Sequence, residues 1–108
     1  MNVDTLAADM IASASNSIGA SWKSIQEVAV HEFRMLATRI VNIATALASG
    51  EMKKSTASIL FRSAKSQIVA VLALVSTMMA VATQKAVNAA LAVVKSAVNT
   101  VVGFSLIA

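Results

Sequence analysis

Between Ile18 and Leu47 the apolar residues keep one register: Ile18, Trp22, Ile25, Ala29, Phe33, Leu36, Ile40, Ile43 and Leu47. The mean step over this stretch is about 3.6 residues, the period of a single stripe on a straight α-helix. Lys23, Glu27, His31, Arg34 and Thr38 fall on another face. The pattern predicts an amphipathic helix, with helical character reaching back to about residue 3. Its first turns (Ser13, Ser15, Asn16, Ser17, Gly19) are small and polar, which marks a kink or a looser start near Gly19. The clearest break is Ala48-Ser49-Gly50-Glu51. Gly50 suits the left-handed position that ends a helix, and Ser49 or Ser55 suits the cap of the next one. A second helix follows, and from Ile68 to Ala82 it is apolar on every side. Such a helix is either the buried centre of a bundle or a membrane span.

The chain has no proline and only three glycines, so little interrupts a helix. The predicted fold is a single all-α domain, residues 1–108, built as an antiparallel hairpin of two long helices over about 3–48 and 55–102. The second helix would be some 70 Å long at about 1.5 Å per residue. A hairpin closing near Gly50 pairs residues whose numbers sum to about 103, which places Asp9 beside Lys95. The same pairing sets Glu27 and Glu32 opposite the apolar run, where no base is at hand, so both should face away from the second helix.

Charge sharpens the contrast between the halves. All five acids (Asp4, Asp9, Glu27, Glu32, Glu51) lie in the first 51 residues, against Lys23, Arg34 and Arg39, a balance of −2. The remainder carries Lys53, Lys54, Arg62, Lys65, Lys85 and Lys95 and no acid, a balance of +6, and the two sum to the net +4. Within it lies an uncharged run, Ser66–Gln84, about 28 Å long as a helix and close to the thickness of a hydrocarbon layer. Residues 66–84 are therefore a candidate transmembrane segment. Lys53, Lys54, Arg62 and Lys65 precede the run and form a candidate collar for lipid headgroups or other anions, worth about 1 kcal/mol per residue near an anionic surface. Four cations before the run against two after it would keep the turn and residues 1–65 on the cytoplasmic or interior side. The same cluster lacks the aromatic interleaving and reader motifs of nucleic-acid binders.

Composition agrees with an excess of apolar surface. Only 13% of residues are charged, about half the usual share in soluble domains, 57% are apolar, and the mean hydropathy is +0.76. A small domain buries a limited fraction of its surface, so the surplus is expected in lipid, between subunits, or both. Small residues recur along the second helix (Ala70, Ala73, Ser76 or Thr77, Ala80, Ala86, Ala89 or Ala90, Ala97), the kind of face that lets helices approach closely, here between subunits. Met78 and Met79 would fill irregular gaps. Trp22 belongs to the apolar stripe and is read as core.

Little points to chemistry. Without cysteine there is no disulfide, thiolate nucleophile or cysteine metal site. Glu27, His31 and Glu32 are the one group suggestive of a metal, but the spacing is Glu-x-x-x-His, there is no second histidine, and the second helix offers no acid. The plain reading is a solvated pair one turn apart. His31 is also the only candidate base, with no third group to hold it. No catalytic residue, metal or cofactor is expected. The segment MNVDTLAADM lacks the basic and apolar regions of a cleaved leader, so the expectation is a protein kept on the cytoplasmic side or inserted without cleavage.

Taken together, the Ser66–Gln84 run, the Lys53, Lys54, Arg62, Lys65 collar and the amphipathic helix over 18–47 resemble the small helical internal-membrane proteins of membrane-containing icosahedral phages. The resemblance implies a structural protein of the virion internal membrane that ties membrane to capsid. The expected function is accordingly a small, non-enzymatic, membrane-associated structural or assembly protein, in a virion internal membrane or a bacterial inner membrane. Its expected partners are a lipid membrane, copies of itself and a capsid or coat protein. Two alternatives stand beside it. One is a holin-like permeabilising protein with Gln67, Ser76, Thr83, Gln84, Asn88 and Asn99 lining a pore. The other is a soluble helical oligomer with the apolar run at subunit interfaces.

Overall fold

A computed structural model gives the architecture. The structure describes residues 2–75 and 80–102, with side chains described for residues 2–71 and 83–99. The chain is all-α, as the pattern predicts, but the described residues form four α-helices where two were expected: α1 (Val3–Ile18), α2 (Gln26–Ala48), α3 (Lys54–Val75) and α4 (Ala80–Val102).

The first departure is at Gly19. α1 starts where the Asn2 side chain accepts the Thr5 N–H at 3.0 Å, with Asp4 in the first turn beside the positive end of the helix dipole. It stops at Gly19, whose φ of 55° and ψ of −124° suit a residue without a Cβ. A short 3₁₀ segment, Gly19–Ser24, then carries the chain through Ile25 into α2. The looser start expected near Gly19 is thus a corner, and α1 packs back against α2.

The turn at Gly50 follows the expectation closely. The Glu51 N–H donates to the Ala46 carbonyl at 2.9 Å and the Gly50 N–H to the Leu47 carbonyl at 3.3 Å, while Gly50 takes φ 80°. This is a Schellman ending with Gly50 in its left-handed position. The expected serine caps are not used for the next helix. The Ser49 hydroxyl donates back to Ala46 at 3.1 Å, and the Lys53 carbonyl accepts the first bond of α3, from the Ala57 N–H at 3.0 Å.

The expected 70 Å second helix is also replaced. The molecule measures only 42 × 22 × 21 Å. α3 ends at Val75, α4 begins at Ala80, and the two pack on each other. The middle of the Ser66–Gln84 run lies outside the described residues, and among those described no helix is long and apolar enough to cross a membrane. A proline-free chain allows a long rod, but a rod leaves apolar faces uncovered. Folding each arm in half covers them.

The result is a four-helix bundle in which α2 packs against all three other helices, α1 also against α4, and α3 also against α4. The predicted pairing survives the doubling. The Ser13 hydroxyl donates to the Ala89 carbonyl at 3.2 Å, a sum of 102, and Arg39 Nη1 donates to Gln67 Oε1 at 2.7 Å, a sum of 106. Asp9 and Lys95 are both exposed.

The core is the predicted stripe met by the inner faces of the other helices. From Trp22 to Ile43 every stripe residue is buried, and Ile18 and Leu47 are half-buried. Trp22 is core, stacked near-parallel on Phe33 with ring centroids 6.4 Å apart. Met10, Val87, Val94 and Val98 complete the most enclosed set. Ala86 and Ala90, expected to face other subunits, are buried within the chain's own bundle, whereas Ala70 is exposed. The accessible surface of 6072 Å² is near the roughly 5,700 Å² of a folded monomer of this mass. Among the described residues, the large hydrophobic side chains left exposed are Met35 and Ile59. Much of the expected apolar surplus is therefore absorbed inside one chain.

Two outcomes follow. Small-angle scattering of the monomer should give a radius of gyration near 13.6 Å; a straight 70 Å hairpin would give about 20 Å. Gly19→Ala should lower unfolding free energy in a urea titration by about 1–3 kcal/mol, because a Cβ is strained at this backbone geometry. Open space surrounds the position, so a D-alanine there, for which the geometry is an ordinary one, should be tolerated; equal losses for both would show that the corner is not a matter of chirality.

Candidate functional site

The two helices of the basic half share a local pattern that builds a groove. On α3 the inward positions are Ala57, Phe61, Ala64 and Ile68; on α4 they are Val87, Ala90, Val94 and Val98. The residue following an inward one sits about 100° further round the helix. Ser58, Arg62 and Lys65 therefore fall along one edge of α3, and Asn88, Leu91 and Lys95 along one edge of α4. The two edges line a groove of about 640 Å³, with Leu36 and Ile40 of α2 at its floor.

The groove has two chemistries. Leu36, Ile40, Phe61, Ala64 and Val94 underlie it as buried apolar side chains, and half-buried Leu91 adds an apolar wall. Arg62, Lys65 and Lys95 are exposed at its rim, and no acidic residue lines it. Three cations around an apolar floor can attract an anion without a competing carboxylate.

The structure divides the four residues expected to form one collar. Arg62 and Lys65 stand at the groove. Lys53 and Lys54, exposed, lie at the end of the bundle where α2 finishes and α3 starts. Two lysines at the start of α3 oppose its dipole. Lys95, which joins Arg62 and Lys65, was not foreseen as part of a site. Along the chain it only interrupts an apolar stretch, and its role depends on α4 folding back beside α3.

The other candidates do not assemble. Glu27 and His31 are exposed and Glu32 is half-buried, and among the described residues no group of three or more potential ligands is placed to hold a metal. Of the residues considered for a pore, Thr83 is buried in the bundle, Gln67 bonds Arg39, Gln84 and Asn88 are exposed, and Ser76 lies outside the described residues. Asn99 is half-buried, and buried Thr83 does not share a face with exposed Gln84 and Asn88. Comparison with protein-family models, curated proteins and solved structures gave no match.

Exposed like charges around one groove contribute nothing to holding the fold. Lys65→Gln and Lys95→Gln should therefore leave thermal stability within about 0.5 kcal/mol of the native chain. Any change should be a gain at low ionic strength that salt removes. A clear loss in thermal unfolding would mean that these side chains have a structural role.

Proposed function

We propose that this chain is a small, non-enzymatic structural protein that docks on an anionic lipid surface through the α3–α4 side of its bundle. The observation that carries the reading is the segregation of charge in three dimensions. Lys53, Lys54, Arg62, Lys65, Lys85 and Lys95 are all exposed, all belong to α4, to α3 or to the residue before it, and share that half with no acid. Because α3 and α4 are neighbours, this half is one side of the molecule. A surface carrying +6 faces lipid phosphates, while the side carrying −2 remains available to a capsid or coat protein or to another copy of the chain. Docking at the surface, with the bundle intact, replaces the spanning arrangement as the mode of attachment. It suits a virion internal membrane or a bacterial inner membrane equally, since both present anionic headgroups.

Flotation with phosphatidylcholine vesicles, with and without phosphatidylglycerol, tests this directly. Binding should require the anionic lipid, weaken as salt is raised, and be released by an alkaline carbonate wash. Lys53→Glu with Lys54→Glu should lower partitioning by at least about 30-fold, taking roughly 1 kcal/mol per lost cation. Equal binding to neutral vesicles would point to apolar insertion instead. Dye leakage from the vesicles would favour the permeabilising alternative, and no binding with tight duplex binding would move the basic side to nucleic acid.

A further inference from the structure

We infer that the groove between α3 and α4 is a binding site for a single medium-chain fatty carboxylate, with its alkyl chain on the apolar floor and its head among Arg62, Lys65 and Lys95. This goes beyond surface docking, because it needs no bilayer and uses the groove rather than the whole basic side.

Three observations point to this occupant. First, the volume of about 640 Å³ falls within the range of roughly 300–1,000 Å³ typical of small-molecule sites. Second, the site is amphipathic in a definite order. Leu36 and Ile40 come up from α2, and Phe61, Leu91 and Val94 close in from α3 and α4. The polar atoms of Arg62, Lys65 and Lys95 lie at the solvent edge, since long cationic side chains rest their methylenes on apolar surface and keep the charge in water. An inorganic anion would use the rim alone and leave the floor wet. A neutral alkane would use the floor alone. A chain with one anionic end uses both.

Third, the sign and the dimensions are set. None of the lining residues is acidic, so an amphiphilic cation would be repelled. The lining residues of α3 run from Ser58 to Lys65 and those of α4 from Asn88 to Lys95, each stretch about 10 Å along its helix. A groove of this length matches one extended alkyl chain of moderate length.

The test is calorimetric titration of the native chain, without vesicles, with octanoate, decanoate and dodecanoate below their micelle concentrations. Decanoate should bind saturably at one per chain, and affinity should rise about fourfold for each methylene until the groove is full. Decyltrimethylammonium should bind at least tenfold more weakly than decanoate, and Lys95→Glu should weaken decanoate by about tenfold. Ala92→Trp and Asn88→Trp each replace an exposed lining residue, so either should fill the groove and abolish binding while helical content by circular dichroism and the unfolding midpoint stay native. Absence of saturable decanoate binding would overturn the inference. So would equal affinity for the cationic amphiphile, or unchanged binding in whichever tryptophan variant retains its fold. If decanoate fails and sedimentation shows a dimer that Ala92→Trp disrupts, a second copy occupies the groove and the inference is wrong. Surface docking would be unaffected by any of these failures, as flotation reads it separately.

Discussion

Burial of the α2 stripe is the interaction on which the other helices depend. Phe33 and Ile40 are almost fully enclosed, and no single partner helix can cover a stripe that also includes Ile25, Leu36 and Ile43. α1, α3 and α4 each supply part of the cover, which is why α2 packs against all three of them. Trp22 ties the corner into the same core by lying on Phe33. The buried positions between these large side chains are largely alanines, among them Ala29, Ala37, Ala57, Ala86 and Ala90. Small side chains at those positions let the helix axes come close, so dispersion contacts accumulate over many short separations. The Ser13–Ala89 and Arg39–Gln67 bonds mark seams that packing has already made.

That constraint explains what could be read from the sequence. The stripe was legible because its period is preserved straight through the corner. Ile18, Trp22 and Ile25 point inward although the backbone there is first α-helical and then 3₁₀. The corner itself was hidden for the same reason, and only Gly19 and its serine-rich approach hinted at it. Gly50 was legible because a left-handed residue leaves a local signature. The pairing sum near 103 was legible too, but it is common to a long hairpin and to one folded in half, so it could not choose between them. The choice lies in the total apolar area, which a straight hairpin would leave partly bare. The Ser66–Gln84 run illustrates the ambiguity in another way: uniform hydrophobicity carries no periodic signal to separate a spanning helix from helices that bury one another.

The site was half legible. Cations on a single helix, Arg62 and Lys65, can be placed on one edge from spacing alone. Lys95 is thirty residues beyond Lys65, and only the return of α4 beside α3 brings it to the same groove. Charge segregation along a chain thus became segregation between the two sides of a bundle. That conversion requires the halves to fold as adjacent helix pairs. Had α3 and α4 been separated by an acidic helix, the same six cations would have been balanced locally.

The pairing of Ser13 with Ala89 bears on the order in which the molecule assembles. These residues are 76 apart in sequence, a separation usually associated with slow, non-local closure. The turn at Gly50 shortens the path. Once it has formed, α2 and α3 zip away from it, and the ends that remain to be joined are no longer separated by the whole intervening chain. Each later contact closes a small loop rather than a large one, so its entropic cost is modest. Separation in sequence and separation along the folding route are therefore different quantities here, and a bundle whose outermost helices are the most distant in sequence can still be a rapid folder.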